Sequence, residues 1–282
     1  MRFTKMQGIG NDYIYFNEFE EKISDPFTLS KVVSARRFSI GGDGIVLIGP
    51  SEKADFRMRI FNADGSEARM CGNAIRCVGK YVYDRGLTNK TAVTVETLSG
   101  VKTLTLTVEN GAVTLVRVDM GAPVLDPKLI PMNCDAESFI NKPLNVDGKE
   151  YNGTAVSMGN PHFVVFTKGV DALDLEKLGP RFENHPAFPD RVNTEFVERE
   201  EDGLYMRVWE RGSGETFACG TGASAVFTAA RLLGYCGDKC KIRLRGGVLH
   251  FDMSADGHVF MTGPAETVCD GEIDPSQLAK MN

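Results

Sequence analysis

Long apolar runs are missing from this chain. No stretch approaches the roughly 20 consecutive apolar residues needed to cross a bilayer, so membrane-spanning helices are excluded. The opening residues, Met1-Arg2-Phe3-Thr4-Lys5, lack the apolar core of a signal peptide; the expected compartment is the cytoplasm, with no membrane partner. A dominant positive charge is absent too. The net charge is −6, and the densest basic stretch, Lys239 to Arg245, alternates with apolar residues like one exposed strand face, so no nucleic-acid partner is expected. Low-complexity and linker-like tracts are also lacking, and 42% apolar with 25% charged residues over 282 positions is the composition of a globular chain of about two domains.

The seven cysteines are an odd set in a long chain, which reads as reduced thiols and gives no disulfide framework. Cys236 and Cys240 have the spacing of half a zinc site, but no second Cys or His pair stands nearby to complete four ligands. No metal is expected, and these two read as ordinary residues after a helix. Gly212-Ser213-Gly214 is not followed by the lysine and hydroxyl of a phosphate loop, and Gly8-x-Gly10 does not complete a dinucleotide fingerprint. Nucleotide binding is therefore not expected.

What the chain does contain is a repeat. Met70-Cys71-Gly72-Asn73 and Ala218-Cys219-Gly220-Thr221 each run into a helical pattern: Ala74, Ile75, Val78, Tyr81, Val82 in one, Ala223, Val226, Phe227, Ala230, Leu233 in the other. Gly86 and Gly234 stop these helices, each fifteen residues past its cysteine. The match reaches well beyond the helices. Met58-Arg59-Ile60-Phe61 corresponds to Met206-Arg207-Val208-Trp209, and Gly10-Asn11-Asp12 to Gly159-Asn160-Pro161. Alternating strand patterns follow both helices, from Val93 to Leu106 broken at Gly100, and from Ile242 to Phe251 broken at Gly246 and Gly247.

Further strands are read at Ala112 to Val118, Phe163 to Thr167 and Leu204 to Trp209, and minor helices at Pro26 to Arg37 and Asp174 to Arg181. The expected fold class is α+β: two pseudo-symmetric domains, each a curled, barrel-like mixed β-sheet around a central α-helix. The expected domains are 1–120, joined by the C-terminal segment 265–282, and 121–264. Cys77, on the apolar face of the first long helix, reads as a small core residue.

A cysteine at a helix start has a chemical consequence. The first turn leaves backbone N–H groups unpaired and the macrodipole places about half a positive charge there, so a thiolate is favoured. The N–H groups of Gly72, Asn73, Gly220 and Thr221 could also bind a carboxylate. If the two halves face each other, one thiol stands on each side of one anion. That suits inversion of a stereocentre beside a carboxylate, in which a base removes the proton from one face and an acid returns one to the other. Thiols suit this work, because a reference pKa of about 8.5 can be tuned toward neutrality.

The strings Gly8-Ile9-Gly10-Asn11-Asp12-Tyr13, Phe61-Asn62-Ala63-Asp64-Gly65-Ser66, Met70-Cys71-Gly72-Asn73-Ala74, Met158-Gly159-Asn160-Pro161-His162, Val192-Asn193-Thr194-Glu195, Trp209-Glu210-Arg211-Gly212-Ser213-Gly214-Glu215-Thr216 and Ala218-Cys219-Gly220-Thr221-Gly222 together resemble the diaminopimelate epimerases. The likeness is collinear and covers nearly the whole chain. Asn73 in place of His separates it from the related proline racemases, and the phenazine-biosynthesis isomerases share the fold without the cysteine pair.

The resemblance implies a homodimeric epimerase, independent of any cofactor, that interconverts LL- and meso-2,6-diaminopimelate for lysine and cell-wall precursor synthesis. It implies Cys71 and Cys219 as the acid/base thiols, with the amides of Gly72, Asn73, Gly220 and Thr221 on the reacting carboxylate. Asn11 and Glu210 would hold the reacting ammonium. Asn62, Asn160, Asn193 and Arg211 would recognise the distal end, Arg211 through its planar fork, while His162 and Glu210 would influence the thiols. One position departs from the pattern: where some members carry a substrate-contacting glutamine, this chain has Gly44.

Without the resemblance, the four asparagines would read as turn residues and His162 as a structural hydrogen-bonder. Asp64-Gly65-Ser66 reads as a turn in either case, and His185, His250 and His258 as structural or exposed. Three rivals share these residues: a thiol peroxidase or redox sensor, a catalytically dead amino-acid-binding protein, and a racemase of another amino acid.

Overall fold

The computed structural model describes residues 1–274 and Ser276; of the segment expected to rejoin the first domain, Pro275 and residues 277–282 lie outside the described residues. The chain divides into two compact units, Met1–Val118 together with the residues from Gly263 onward, and Asp119–Thr262.

The first unit contains β1 (Arg2–Gly8), β2 (Asn11–Asn17), α1 (Pro26–Val33), β3 (Gly44–Gly49), β4 (Phe56–Asn62), β5 (Glu67–Ala68), α2 (Gly72–Asp84), β6 (Ala92–Thr97), β7 (Gly100–Glu109) and β8 (Ala112–Gly121), whose last residues cross into the second unit. The second contains β9 (Lys142–Val146), β10 (Lys149–Ser157), β11 (Pro161–Phe166), a 3-10 turn, α3 (Leu175–Glu183), β12 (Asn193–Glu200), β13 (Gly203–Glu210), β14 (Gly214–Thr216), α4 (Gly220–Leu232), β15 (Lys239–Leu244), β16 (Gly247–Met253) and β17 (Val259–Gly263). The last strand, β18 (Glu266–Glu272), pairs antiparallel with β1 in the first unit.

Within the units, strands run in the orders β18-β1-β2-β3-β4-β6-β7-β8 and β9-β10-β11-β12-β13-β15-β16-β17. Position by position, the pairings have the same sense: two antiparallel, one parallel, one antiparallel, one parallel, two antiparallel. The short strands β5 and β14 attach at the same place, on β4 and β13. The duplication read from the sequence is thus a duplication of topology. Only the first position differs in origin, being filled by the chain's end in one unit and by a local hairpin strand in the other.

Sequence pattern explains the layering. β3 (Gly44–Gly49) is buried at every residue, as expected for a strand covered on both faces. On one face Ile14, Phe16, Ile45, Leu47 and Phe61 pack against Leu29 and Val33 of α1. On the other, Tyr15 reaches α2, its hydroxyl donating to the Ala74 carbonyl at 3.2 Å. Similarly, Phe196 of β12 joins Phe163, Phe182 and Phe188 in the core beneath α3, while Glu195, one residue earlier and so on the opposite face, lies against Gly222 of α4. Both α2 and α4 are buried along most of their length, which is how a helix central to its own sheet differs from a surface helix.

The expected stops are in place. Gly86 (φ 69°) follows α2, with Gly86 N–H bonded to the Tyr83 carbonyl and Leu87 N–H to that of Val82; Gly234 (φ 69°) follows α4, with Gly234 bonded to Arg231 and Tyr235 to Ala230. Both are Schellman caps. The first minor helix ends at Val33 rather than Arg37. There Gly41 and Gly42 fold back and donate to the carbonyls of Val33 and Ser34, which ends the helical ladder. Of the stretch Lys239 to Arg245, Lys239–Leu244 is a strand with its basic face outward, where Lys241 and Arg243 pair with Asp202 and Glu200, and Arg245 begins the turn after it.

Gly44 is required by this packing. A Cβ there would lie 2.0 Å from the Phe61 carbonyl oxygen, whereas one at Gly86 would meet nothing within 4 Å. Gly44→Ala should therefore cost about 3 kcal/mol or more, and Gly86→Ala only about 1 kcal/mol, from its positive φ. Urea denaturation of the two variants checks the order, and equal losses would contradict it.

Candidate functional site

Each repeated cysteine is the N-cap of its unit's long helix. Cys71 (φ −139°, ψ 118°) accepts a hydrogen bond from Ala74 N–H at 3.5 Å, and Cys219 (φ −126°, ψ 110°) accepts one from Gly222 N–H at 3.4 Å. The thiol does the work usually left to Ser or Asp, satisfying the third amide of the helix. Gly72 and Asn73 occupy the first two helical positions of α2, and Gly220 and Thr221 those of α4. Amides at these positions have no acceptor inside the helix and lie at the positive end of its dipole.

Cys71 is hydrogen-bonded to Asn11. Its Oδ1 accepts from the Cys71 thiol at 3.3 Å while its Nδ2 donates to Asp43 Oδ2 at 2.7 Å. Because an ionised carboxylate only accepts, Asp43 fixes which way the amide points. Asp43 is held in turn by Arg36, which also binds Asp12. Asn11 follows a two-residue hairpin turn in which Ile9 (φ 51°) and Gly10 (φ 88°) both have positive φ. A β-branched residue in that region is uncommon and costs free energy on the order of 1–3 kcal/mol.

Arg76 is a functional candidate that sequence reasoning missed. Completely buried on α2, it donates from Nη1 to the Gly72 carbonyl (3.0 Å) and Asn73 Oδ1 (2.9 Å), and from Nε to the Pro264 carbonyl (3.1 Å). Burial pulls its pKa down, opposed by Cys77, Cys71 and Tyr15. The matching residue in the repeat is Ser224, whose hydroxyl donates to the Gly220 carbonyl at 2.8 Å. The same carbonyl is thus served by a cation in one half and a neutral hydroxyl in the other. A charged residue inside an apolar helical pattern was the available signal.

Cys219 has carboxylates for neighbours. Burial pushes its thiol well above the usual range, and the charges of Glu210 and Glu195 push it further, against the pull of Thr221 and Gly222. The expectation that a helix start favours the thiolate is therefore corrected here: desolvation and two acids outweigh the helix amides. Burial likewise raises Glu210, although hydrogen bonds from the Thr216 hydroxyl, at 2.5 Å, and from Cys219 oppose it.

Behind them lies a buried chain, with Glu195 Oε1 2.7 Å from His162 Nδ1 and His162 Nε2 3.0 Å from Asn160 Oδ1. Glu195, quoted in the sequence only as part of a string, is the second missed candidate. Its Oε2 is buried without a hydrogen-bond partner, and a Cβ at Gly222 would lie 2.5 Å from its Oε1.

The remaining sequence-predicted residues are placed as follows. Asn193 is buried with its amide committed, Nδ2 donating to the Pro161 carbonyl and Oδ1 accepting from Arg211 N–H at 2.8 Å. Arg211 is half-buried and donates from Nη1 to the Asp190 carbonyl at 2.7 Å. Asn62, at the end of β4, donates to Ser66 Oγ across the Asp64-Gly65 turn. The second unit therefore brings together Cys219, Glu210, His162, Asn160 and Glu195; the first joins Asn11 to Cys71. Among the described residues, no group of three or more His, Cys, Asp or Glu could hold a metal ion, and no helix is long and apolar enough to cross a membrane.

The sequence pattern of the diaminopimelate epimerase family matches residues 3–125 and 154–268. The chain belongs to the diaminopimelate epimerase family. It is 58% identical to the diaminopimelate epimerase of Acetivibrio thermocellus, over 99% of this chain and 100% of that one, and 54% identical to that of Methanococcus maripaludis strain C5, over 97% and 100%. An epimerase, and so an isomerase, is what these relatives support. Solved structures share the fold: a probable proline racemase from Agrobacterium radiobacter K84 superposes with a TM-score of 0.73 at 16% identity, covering 97% of this chain and 93% of that one. A phenazine biosynthesis protein of the PhzF family from Bacillus anthracis does so with 0.70 at 16% identity, covering 97% and 99%. As a member of the diaminopimelate epimerase family, the chain carries its mixed-sheet fold with a cysteine-capped helix in each half.

Because a neighbouring negative charge disfavours a thiolate, removing one should ease ionisation of Cys219. Glu210→Gln is expected to lower the pH at which Cys219 is half-alkylated by iodoacetamide, by about one unit. A midpoint that stays put or rises would remove Glu210 from the list of groups acting on this thiol.

Proposed function

We propose that the chain interconverts LL- and meso-2,6-diaminopimelate by two-thiol proton transfer without a cofactor, as a cytoplasmic homodimer serving lysine and peptidoglycan precursor synthesis. The observation that carries this reading is the pair of cysteine-capped helices, one in each of two halves with identical strand pairing. Relatives named diaminopimelate epimerase at 54–58% identity over nearly the full length supply the substrate.

In this reading one thiolate removes the α-proton and the opposite thiol returns a proton to the other face. Charge that builds on the substrate carboxylate is met by the first-turn amides of Gly72, Asn73, Gly220 and Thr221, each such donor being worth about 3 kcal/mol in comparable sites. The two thiols have unlike surroundings: an amide oxygen at Cys71, with buried Arg76 on the same helix, and two carboxylates at Cys219. A proton is thereby held on Cys219, and the acid role in the resting enzyme falls to it. Binding of the substrate carboxylate at the helix starts adds a further negative charge, which the amides must offset before the second thiol can ionise.

Asn11 and Glu210 hold the reacting ammonium. Both already contact a thiol, so the same groups set proton affinity and substrate position. Arg211 takes the distal carboxylate, assisted by Asn62 and Asn160. Asn193 joins them at the distal end, and its amide also holds the Arg211 backbone through Oδ1. His162 acts on Glu210 through its charge and on Asn160 through its ring nitrogen.

Exchange of the substrate α-proton with deuterated solvent tests the mechanism. Reduced protein should exchange and epimerise diaminopimelate, and Cys71→Ser and Cys219→Ser should each lose at least about a hundredfold in epimerisation. Retained epimerisation in either variant would overturn the two-thiol assignment. For the substrate, Arg211→Ala should raise KM for diaminopimelate about tenfold to a hundredfold; unchanged turnover would show that the distal carboxylate binds elsewhere.

A further inference from the structure

Glu183 is the last residue of α3 and is only 6% exposed. Neither burial nor the helix favours a carboxylate there, because the C-terminal end of a helix is its negative end. The three groups bonded to it are all donors. Oε2 accepts from Trp209 Nε1 at 2.7 Å, and Oε1 accepts from Gly212 N–H at 2.9 Å and from Arg191 Nη1 at 2.8 Å. Trp209 also lies against the same helix, where a Cβ at Gly179 would stand 2.1 Å from its indole. Arg211 sits between the two residues of the turn that this carboxylate grips. Its N–H is taken by Asn193 Oδ1, and its Nη1 by the carbonyl of Asp190, the residue before Arg191. Backbone and guanidinium are thus both set by segments fastened to Glu183.

We infer that Glu183 is a positioning residue for substrate selection: resting on the role proposed for Arg211 at the distal carboxylate, it fixes the turn 209–212 that presents this arginine. A guanidinium has five N–H donors, so the bond to Asp190 leaves others for a ligand carboxylate. A neutral amide does not replace the carboxylate. In Glu183→Gln the side-chain NH2 would face one of three donors, so at least one bond is lost and the turn is released. The repeat supports a turn-holding role for this helix. In the first unit, Ser30 of α1 donates its hydroxyl to the carbonyls of Phe61 (3.1 Å) and Asn62 (2.7 Å), which match Trp209 and Glu210. The hold is a hydroxyl where the turn carries Ala63, and a buried carboxylate where it carries Arg211. Glu210 is secured separately, by the Thr216 hydroxyl at 2.5 Å, so the groups beside Cys219 stay in place when the hold on Arg211 is lost.

Steady-state kinetics of the full chain with diaminopimelate test this through a double-variant cycle. Glu183→Gln should raise KM about tenfold and leave kcat within about twofold. In an Arg211→Ala background the same substitution should change KM by less than about twofold, because the residue it acts through is gone. Trp209→Phe removes one donor and leaves the ring type that Phe61 has in the first unit. It should show the same pattern with a KM increase of about threefold, and it decides the matter where Glu183→Gln does not fold. A fall in kcat as large as the rise in KM, or KM increases that multiply in the double variant, would overturn the proposal. If Arg211→Ala raises KM while Glu183→Gln and Trp209→Phe do not, this inference fails alone. If Arg211→Ala itself leaves KM unchanged, the distal-carboxylate reading falls and takes this inference with it.

Discussion

A helix buried at its N-terminus must find acceptors for amides that cannot bond within it, and this constraint organises both halves of the protein. Each unit surrounds one helix with its sheet and begins that helix with a cysteine. The sulfur satisfies one amide; the amides ahead of it have no acceptor within the helix itself. A helix cap and a thiol therefore come from a single structural device, used twice.

The two uses are not equivalent. Under the first turn of α2 the repeat places the Arg76 guanidinium; under that of α4 it places the Ser224 hydroxyl. On the strand side, Asn11 meets Cys71, while Glu210 and Glu195 bear on Cys219. A duplicated backbone with divergent charges thus gives the two cysteines unlike electrostatic surroundings. Glu195, in turn, bonds to His162, which contacts Asn160, so a residue distant in sequence from the helix start lies in the same polar cluster.

Much of this was legible in the sequence. The paired Cys-Gly strings, the helical periodicity behind them and the stop glycines gave the two helices to within a residue or two, because local patterning and capping chemistry set those limits. The alternating strands were legible for the same reason. Arg76 was not, since a lone charge in a helix is ordinarily an exposed residue, and only its carbonyl partners reveal a buried one. For Asn193, the bonds of its amide to Pro161 and Arg211 could not be read from spacing along the chain.

By itself, the sequence determined the duplication, the family and the two cysteines that begin the long helices, since these follow from residue order and local periodicity. Tertiary structure alone decided the charge around each thiol. Proton affinity depends on burial and on groups far apart in the chain, and neither is fixed until the sheet has closed around its helix.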